Sequence, residues 1–309
     1  MTEGVTLITG AGGALARRVV KLLSDTTQMV GVEFRRNMRV TADLPVYQVD
    51  FHKRGFEDVF KDHTVDTIIH LGRFEAEEST PESRYNANVV GSQRLFDLAV
   101  KYKVSKVIVL STFYVYGASP YNPALLNESA PLKASGLSKD LVDAVELANL
   151  SNIYLWKYPK LNMTILRPCH IVGPGVRNSM SLLLEQPVAP VLFGFSPMMQ
   201  FIHIDDMARA ITLAFKEKHR GVYNVAPEDW IAYQDALEAA GCARIPIPSI
   251  PPLIPNTISK ILRMKVFPAF LINFFKYPVI IDGSEFEKKF GFKPKISLNR
   301  IFSHYRERK

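Results

Sequence analysis

The sequence predicts an α/β fold, a doubly wound parallel sheet followed by a smaller C-terminal lobe. Three observations support this prediction. Short apolar runs alternate with helical patterns through the first two-thirds of the 309 residues, a glycine-rich turn follows the first run, and prolines become frequent after Gly173. Continuous apolar strands separated by helices are typical of a parallel sheet covered on both faces.

Each element is predicted from its apolar pattern. The predicted strands are, in chain order, Val5–Thr9, Met29–Phe34, Val46–Val49, Thr67–Leu71, Val107–Leu110 and Met163–Leu166. The predicted helices are Ala14–Ser24, Phe56–Lys61, Pro81–Tyr102 and Ser138–Tyr158. We therefore assign residues 1–172 to the sheet domain and 173–309 to a smaller substrate lobe, with 201–225 returning to the sheet.

Composition narrows the classes of protein. The hydrophobic content of 47% and charged content of 22% suit a globular chain with a real core. The formal net charge of +8 suits either an RNA or membrane-surface partner or anionic small molecules. We favour small molecules, and not nucleic acid, because no basic run carries interleaved aromatic residues.

The cysteines and the apolar runs bear on location. Cys169 and Cys242 are far apart and lack metal-binding spacing, so we expect neither a disulfide framework nor a zinc site. No uninterrupted apolar run is long enough to span a bilayer, and no signal peptide is visible. We therefore expect a cytoplasmic protein without a transmembrane segment.

Small residues occupy the turn between the first strand and the first helix: Gly10, Ala11, Gly12, Gly13, Ala14 and Leu15. In dinucleotide sites, small residues here let the chain turn tightly, approach the pyrophosphate and pack the helix close to the sheet. The helix then offers unpaired N–H groups to the phosphates. Because the turn directly follows the first strand, it predicts a nicotinamide-dinucleotide site in a Rossmann-type domain.

The residues after the second strand bear on the choice between NAD and NADP. Glu33 follows Gly13 by twenty residues, and a carboxylate there accepts bonds from the adenosine ribose hydroxyls of NAD. Arg35 and Arg36 follow directly, and either suits the 2′-phosphate of NADP. We favour NAD and leave NADP open.

Seven segments are spaced along nearly the whole chain. They are Thr9–Ala16, Asp50, His70–Gly72, Asn88–Ser92, Ser111–Gly117, Arg167–Gly175 and Phe201–Asp206. Together they resemble the TGxxGxxG turn (with Ala16 for its last glycine), the adenine-contacting aspartate, and the HLA, NVxGT, SSSxxVYG, RPxxxYGPG and FVHVDD motifs of one family. It is the extended short-chain dehydrogenase/reductases, which include nucleotide-sugar epimerases and dehydratases.

The resemblance implies roles for individual residues. Besides the turn, Glu33 and Arg35, cofactor contacts are implied for Asp50, Phe51, Leu71, Gly72, Asn88, Ser111, Lys139 and Pro168. Substrate contacts are implied for Arg73, Phe113, Tyr114, His170 and Met199, and catalysis for Thr112, Ser135 and Lys139. Helix pairing between protomers is common in the family, so the resemblance also implies a homodimer.

The catalytic pattern departs from the family at one position. Members use a Tyr-x-x-x-Lys pair on the helix after the fifth strand, where the lysine lowers the tyrosine pKa so that it takes a substrate proton. Here Lys139 is present, but Ser135 occupies the tyrosine position. If both residues lie on that helix, they share one face of it.

Other candidate residues receive structural interpretations. The literal Tyr-x-x-x-Lys strings that begin at Tyr102 and Tyr305 lie away from the predicted ligand crevice, so we interpret them as decoys. Tyr114 and Tyr116 are nearer, and packing below the site is the favoured interpretation. His203 matches a structural position of the family and is assigned no chemistry.

The substrate positions also depart from the family. Met199 stands where nucleotide-sugar members carry an arginine, and His170 stands where they carry an asparagine, which weakens a nucleotide-sugar assignment. We interpret His170 as a polar wall residue in preference to a general base. Aromatic and aliphatic residues of the last lobe pack as core or cap an apolar substrate, and both alternatives stay open: Phe267, Phe270, Leu271, Phe274 and Phe275.

Two functions are consistent with this pattern. The first is an NAD(P)-dependent oxidoreductase or epimerase with an altered acid–base group, in which water held by Ser135 and Thr112 relays a proton. The second is a cofactor-binding protein without turnover, such as a redox sensor, an assembly factor or an RNA binder. We favour the enzyme, because Thr112, Lys139 and the second lobe have no obvious purpose without a substrate.

Overall fold

The computed structural model describes residues 4–35, 44–50, 55–73, 80–249 and 270–309, and every structural statement below concerns those ranges. The predictions at Arg36, Phe51 and Phe267 lie outside the described residues. Within these ranges, no helix combines the length and apolarity needed to cross a bilayer.

The strands are β1 (Val5–Thr9), β2 (Met29–Glu33), β3 (Val46–Gln48), β4 (Val65–His70), β5 (Lys106–Leu110), β6 (Asn162–Pro168), β7 (His170–Val172), β8 (Val188–Leu192), β9 (Met198–Met199), β10 (Phe201–His203), β11 (Gly221–Val225), β12 (Ile231–Ala232) and β13 (Ala243–Ile247). The helices are α1 (Ala14–Leu23), α2 (Gly55–Asp62), α3 (Pro81–Tyr85), α4 (Gly91–Lys101), α5 (Ala134–Leu137), α6 (Val142–Lys157), α7 (Ser179–Leu184), α8 (Ile204–Lys216), α9 (Tyr233–Ala239), α10 (Leu271–Phe274), α11 (Ser284–Phe290) and α12 (Leu298–Arg306).

The predicted sheet is confirmed, and all its strands are parallel. Its order is β11-β6-β5-β4-β1-β2-β3, so β11 is the predicted return of the chain to the sheet. The strand order reverses between β1 and β4, and ligands of such sheets bind outside the carboxyl ends of the strands at that switch point. The topology therefore places a ligand crevice beside the glycine-rich turn.

Neighbouring strand residues divide between two hydrophobic cores. Leu7 belongs to the core that includes Phe56 and Phe96 of α2 and α4, whereas Ile8 belongs to the core that includes Val19 of α1 and Met207 of α8. Successive side chains of a strand point to opposite faces, so continuous apolar runs bury both faces of this sheet. The turn at the end of β1 is thus carried by a rigid, doubly covered strand.

The later residues form three small sheets and the last helices. β7 pairs with β10, β8 with β13 and β9 with β12. The last helix is anchored by Tyr305, whose buried hydroxyl accepts a bond from the Gly173 N–H (2.8 Å) and also bonds the Ser181 hydroxyl (2.7 Å). This anchor holds the segment that begins at Gly173 and reaches over α1.

Two predicted long helices are interrupted. The first contains a π-helical segment, Asn86–Val90, between α3 and α4. The second begins later than predicted, because Ser138 is extended (φ −154°, ψ 129°) and a 3₁₀ turn, Lys139–Leu141, precedes α6. The Ser138 hydroxyl accepts a bond from the Asp140 N–H at 3.2 Å, which satisfies the start of the new turn.

The decoy interpretation of the two Tyr-x-x-x-Lys strings agrees with the structure. The Tyr102 hydroxyl donates to Glu57, and the Lys106 ammonium donates to the backbone oxygens of Ala214, Phe215 and Glu217. Lys106 therefore caps the C-terminal end of α8, where a cation and hydrogen-bond donors are favourable. Burial lowers the pKa of this lysine.

Candidate active site

A cavity of about 340 Å³ lies at the carboxyl ends of the central strands. The glycine-rich turn forms one wall, and the residues that follow β4, β5 and β6 form the next. Residues 175–179, which lead into α7, line the cavity next to α1. The predicted residues that line it are Gly10, Gly12, Gly13, Ala14, Leu15, Arg35, Leu71, Arg73, Ser111, Thr112, Phe113, Tyr114, Pro168 and His170.

The turn requires glycine at its first position. Gly10 has a φ of +67°, a conformation that L side chains rarely adopt, and a Cβ there would lie 2.6 Å from the Gly72 Cα. The Thr9 hydroxyl accepts a bond from the Gly72 N–H at 3.1 Å. The predicted contact residue Gly72 therefore supports the turn from the β4 side, in contact with its backbone.

The start of α1 is open to a ligand. Gly13 is the N-cap residue (φ −71°, ψ 153°) and supplies no side-chain cap. The first N–H groups of a helix have no intrahelical partner, and together with the helix dipole they favour an anion. Because Gly13 and Ala14 both line the cavity, the helix end presents these donors to it.

Glu33 is buried beside the turn and organises it. Its Oε1 accepts bonds from the Phe34 and Arg35 N–H groups (3.0 and 3.1 Å), and Arg35 Nε lies 3.4 Å from the same oxygen. Its Oε2 accepts from the Gly12 N–H at 3.1 Å. A carboxylate oxygen accepts more than one bond, so Oε2 keeps an acceptor site beside the turn for a ribose hydroxyl.

A buried histidine connects the turn to the π-helical segment. His70 Nδ1 lies 2.7 Å from the Thr9 hydroxyl, and its Nε2 lies 2.8 Å from the Ser92 hydroxyl. Ser92 donates to the Asn88 carbonyl at 2.6 Å, so it accepts from Nε2–H, and Thr9 donates to Nδ1. This assigns one neutral tautomer, in keeping with the pKa of His70, which burial lowers to about 4.

The substrate end of the cavity carries Thr112, Tyr114 and His170. The Thr112 hydroxyl oxygen accepts a bond from the Tyr114 N–H at 3.3 Å, which leaves its hydrogen available to a ligand oxygen. The Tyr114 hydroxyl lies 3.2 Å from His170 Nδ1. Burial lowers the pKa of His170 to about 3, so its imidazole is neutral at physiological pH.

Aromatic packing fixes this end from behind. The Tyr114 ring meets Phe270 and Phe274 edge-on at centroid distances of 5.1 and 4.9 Å, and His170 stacks on Phe201 at 5.4 Å. Four residues of the last lobe are buried and do not line the cavity: Phe270, Leu271, Phe274 and Phe275. Of the two predicted alternatives for the last lobe, core packing is the one these four residues adopt.

The two buried histidines make stability depend on pH. Their folded-state pKa values, about 4 and about 3, lie below the ordinary value of 6.5. Between these values the unfolded chain binds protons that the folded chain does not, so stability present above pH 6.5 is lost as the pH falls. Each histidine contributes about 1.4 kcal/mol per pH unit, so we expect a combined slope of up to about 2.7 kcal/mol per pH unit between pH 6 and pH 4.

Urea unfolding at pH 7, 6, 5 and 4 measures this slope. In His170→Asn, which removes one of the two titrating groups and keeps a polar side chain, the histidine part of the slope should fall to about half. An unchanged slope in this variant would show that His170 is protonated alike in both states.

Several predicted residues do not line this cavity. Asn88 donates to Asp143 Oδ2 at 2.7 Å, and the other oxygen of Asp143 accepts from Arg84 Nε at 3.1 Å, so Asn88 ties the π-helical segment to α6. Met199 is buried and pairs with Ile231 across β9 and β12. Ala11 and Asp50 are likewise outside the lining. Ligand roles for these residues stay predictions.

Ser135 and Lys139 do not share a helix face, so that prediction was wrong. Ser135 lies on the single turn of α5, and the extended Ser138 separates it from Lys139, which starts the 3₁₀ turn. The physical reason is that the Ser138 hydroxyl caps a new turn, so the first helix ends there. Neither Ser135 nor Lys139 lines the cavity, and their catalytic role stays a prediction.

Tyr116 and His203 are structural, as predicted. Tyr116 is buried, donates to Asn224 Oδ1 at 2.7 Å and accepts from Arg167 at 3.0 Å. His203 Nδ1 accepts a bond from the Asp205 N–H at 3.2 Å and caps the start of α8. Tyr114, by contrast, lines the cavity with its partner His170, so the favoured interpretation of Tyr114 as packing below the site was wrong.

Sequence reasoning missed the arginines of the α1 side. Arg17 and Arg177 line the cavity, and Arg17 donates to the Gly12 carbonyl at 3.3 Å. The loop that carries Arg177 lies against α1. The distance shows this contact: a Cβ at Gly175 would lie 3.3 Å from the Ala14 Cβ. Arg18 secures it by donating to the Pro174 carbonyl at 2.8 Å and pairing with Asp205. The signals were local: Arg17 follows the turn, and Arg177 follows Gly-Pro-Gly.

Known proteins resemble this chain over nearly its full length. An uncharacterised protein of Mycobacterium tuberculosis is 24% identical, with 97% of this chain and 83% of the relative covered. The UDP-glucose 4-epimerase of Thermotoga maritima, solved with UDP-glucose, superposes with a TM-score of 0.79 at 18% identity and 98% coverage of both chains. That of Thermus thermophilus, solved in complex with NAD, gives 0.76 at 17% identity, covering 98% and 99%.

The sequence also matches the model of one protein family. The model of the NAD dependent epimerase/dehydratase family matches residues 6–226, which include the turn, the residues after β4 and β5, and β6 to β11. The predicted resemblance, its class of enzyme and its NAD cofactor are thereby confirmed at family level. The chain belongs to the NAD dependent epimerase/dehydratase family.

Proposed function

We propose that this chain is an NAD-dependent oxidoreductase or epimerase that acts on a small molecule held at Thr112, Tyr114 and His170. One observation carries the proposal: the same cavity contains the phosphate-binding turn and this group of polar side chains. A protein that only binds the cofactor needs the turn, but it does not need hydroxyl and imidazole groups facing the same space. The aromatic packing behind them holds these groups in place.

The residues of the turn fit NAD. Gly10 and Gly13 leave the backbone free to approach a pyrophosphate, the start of α1 supplies N–H donors, and Glu33 Oε2 keeps an acceptor for a ribose hydroxyl. When bound, NAD supplies the hydride acceptor or donor. The protein binds and orients it and excludes water, and it also has to move the substrate proton.

Thr112 and Tyr114 are suited to that proton transfer. The free hydroxyl hydrogen of Thr112 orients a substrate oxygen. A proton leaving that oxygen passes to the Tyr114 oxygen while the phenolic proton passes to His170 Nδ1, 3.2 Å away. Burial disfavours the imidazolium that this transfer forms, as the lowered pKa of His170 indicates. A ligand without a negative charge does not stabilise this cation, so we expect it to react slowly.

Two alternatives keep specific support. Water held between Thr112 and Ser135, with Lys139 beside it, remains a second proton path, because Thr112 and Lys139 match the family pattern and Ser135 occupies the position of its tyrosine. A cofactor-binding protein without turnover is favoured by the missing tyrosine and by the position of Ser135 and Lys139 outside the cavity lining. NAD binding is common to both functions, and conversion of a bound compound separates them.

The first test is binding and cofactor choice. We expect calorimetry to show that the wild type binds NAD more tightly than NADP, because Glu33 repels a 2′-phosphate. Glu33→Gln keeps the size of the side chain and an acceptor but removes the charge, so the preference should fall by about tenfold, roughly 1.4 kcal/mol. Mass spectrometry of small molecules retained through gentle purification would identify the bound cofactor directly.

Two outcomes would contradict these expectations. A wild type that binds neither cofactor would remove the proposed function altogether. A wild type that prefers NADP by about a hundredfold, roughly 2.7 kcal/mol, would show that Arg35 outweighs Glu33.

We also propose a cytoplasmic homodimer paired through α6. Ile153 and Trp156 lie one turn apart on this helix and are 57% and 77% exposed, which supports an apolar contact between protomers. The two cysteines are free and buried, in keeping with a reducing compartment. Light scattering of the purified protein would measure the oligomeric state.

A further inference from the structure

We infer that this protein docks on an anionic lipid surface through one end of its sheet, opposite the cofactor cavity. The inference does not depend on the proposed function. We call this surface the basic edge and define it by three connections, residues 101–106, 157–162 and 216–221. Each connection begins at the last residue of a helix (α4, α6 or α8) and ends at the first residue of a strand (β5, β6 or β11).

Nearly all of the net charge of the chain lies in these three connections. They contain eight lysine and arginine residues and one carboxylate, Glu217, so they account for a formal charge of +7 out of the +8 of the whole chain. The eight cations are Lys101, Lys103, Lys106, Lys157, Lys160, Lys216, Lys218 and Arg220. The rest of the sequence is therefore nearly neutral, and the excess charge belongs to one surface.

The fold places the three connections side by side. The strands β11, β6 and β5 are parallel neighbours, so their first residues lie at the same end of the sheet. The Asn162 N–H donates to the Ser105 carbonyl at 3.0 Å, and the Lys106 ammonium donates to the Glu217 carbonyl at 2.5 Å. Burial first, and then the nearby Lys218 cation, lower the pKa of Lys106. Cations that are far apart in the sequence are thus crowded together.

The length of the strands separates the basic edge from the cavity. Lys106 begins β5, whereas Ser111 and Thr112, which line the cavity, follow the other end of this strand. A strand of five residues is about 17 Å long. At physiological ionic strength, charges in water are largely screened beyond about 8 Å. The position of the excess charge therefore favours a membrane-surface partner over a small molecule in the cavity.

Helix ends account for some of these cations. A lysine in the last turn complements the dipole of its helix, which explains Lys101, Lys157 and Lys216. Lys106 caps the C-terminal end of α8. The other four cations have no ion-pair partner in the part of the chain that the structure describes: Lys103, Lys160, Lys218 and Arg220. Of these four, the three lysines are exposed.

Lys103 stands where glycine is the preferred residue. Tyr102 is the C-cap of α4, and the Lys103 N–H donates to the Val100 carbonyl at 3.2 Å. The Val104 N–H donates to the Ala99 carbonyl at 2.8 Å, which completes a Schellman motif. Lys103 has a φ of +57°, and among the described residues it is the only one besides glycines with a positive φ. A lysine in this strained position indicates that its charge has a function.

Two features favour lipid over nucleic acid as the partner. Seven of the eight cations are lysines, whose point charge suits a layer of headgroups, whereas arginine is preferred for bidentate contacts with phosphate. Lys101 lies over the Tyr102 ring (5.5 Å to the centroid) and Lys157 over the Tyr158 ring (5.4 Å). Because the lysines cover these rings, the rings are not open to stacking with bases.

Co-sedimentation of the full chain with vesicles tests the inference. The probes are vesicles of phosphatidylcholine alone and of phosphatidylcholine with about one-third phosphatidylglycerol. In about 0.1 M salt, we expect binding to the anionic vesicles to be at least tenfold tighter than binding to the neutral ones. This binding should be lost in about 1 M salt, where the screening length falls to about 3 Å.

Two triple variants with the same net charge separate the basic edge from the charge of the whole chain. Each lysine near an anionic membrane contributes about fivefold in affinity, roughly 1 kcal/mol. The variant with Lys103→Gln, Lys160→Gln and Lys218→Gln should therefore bind anionic vesicles about a hundredfold more weakly, while its Kd for NAD changes less than threefold.

The matched control changes exposed cations elsewhere: Lys133→Gln, Lys295→Gln and Arg300→Gln. Lys133 precedes α5, and the Lys295 N–H donates to Asp206 in the first turn of α8, at the end of that helix opposite the basic edge. We expect the control variant to bind anionic vesicles within threefold of the wild type.

Lys103→Gly separates the function of this lysine from its structural effect. Glycine relieves the strained φ, so the unfolding temperature should stay the same or rise slightly, although binding to anionic vesicles weakens about fivefold. A residue with only a structural role would not give this opposite response.

Four results would overturn the inference. The first is equal binding to neutral and anionic vesicles. The second is an equal loss of vesicle binding in the two triple variants, which would show that net charge and not this surface causes binding. The third is wild-type affinity in Lys103→Gly. The fourth is tight binding of single-stranded RNA without binding of anionic vesicles, which would make nucleic acid the partner of the basic edge.

Discussion

Gly13→Asp should abolish NAD binding without lowering the unfolding temperature. Gly13 is the N-cap of α1 and lines the cavity, so a carboxylate there occupies the place of the pyrophosphate. Two like charges about 4 Å apart repel by roughly 4 kcal/mol at an effective dielectric constant of about 20. The Kd for NAD should therefore rise on the order of a thousandfold.

The same substitution is favourable for the helix. Aspartate is among the preferred N-cap residues, and Gly13 already has the extended conformation of an N-cap. A Cβ at Gly13 would lie 3.2 Å from the Gly10 carbonyl oxygen, so this backbone oxygen has to move by a few tenths of an ångström to accept the side chain. Calorimetry should therefore record lost binding, and thermal unfolding an unchanged or slightly raised midpoint.

Gly13→Asn is the matched control. Asparagine has nearly the shape of aspartate and caps helices as well, but it carries no charge. Binding should be weakened much less in Gly13→Asn than in Gly13→Asp, because only the steric part of the effect remains. An equal loss of NAD binding in both variants would show that steric hindrance, and not charge, causes the loss at this position. Undiminished binding in Gly13→Asp would place the pyrophosphate elsewhere.

The parts of the site that the sequence predicts are local in the chain. Gly10 to Leu15 form one turn, and Glu33 reaches it from the neighbouring strand β2, so the order of strands suffices to bring them together. The residues after β4 and β5 follow from the same topology, since parallel strands end at one edge. These parts depend on backbone geometry, which glycines and apolar runs specify strongly.

The parts that the sequence does not predict depend on side chains that meet over long separations. Tyr114 and His170 are 56 residues apart, and their contact requires the packing of Phe201, Phe270 and Phe274 behind them. Arg177 reaches the cavity only because its loop rests on α1.

The interruption at Ser138 is different, because it is local and was still missed. A serine in a helical pattern is weak evidence for an internal cap, since its hydroxyl competes with the helix backbone only when the surrounding packing allows it. This break moves Lys139 off the face of Ser135, and so it changes which residues are the best candidates for proton transfer.

Tyr114→Phe should lower kcat by about 10²–10⁴-fold on any compound that the NAD-loaded wild type converts, because it removes the hydroxyl that faces the substrate end and bonds His170. The ring stays, so its packing on Phe270 and Phe274 is kept, and the Kd for NAD should change less than threefold. Ser135→Ala should change kcat by less than threefold. A panel of sugar phosphates, sugar acids, hydroxysteroids and aromatic ketones, followed by nicotinamide absorbance, supplies the compounds. The reverse result, full activity in Tyr114→Phe and a large loss in Ser135→Ala, would return proton transfer to the family position and leave Tyr114 as a wall of the cavity.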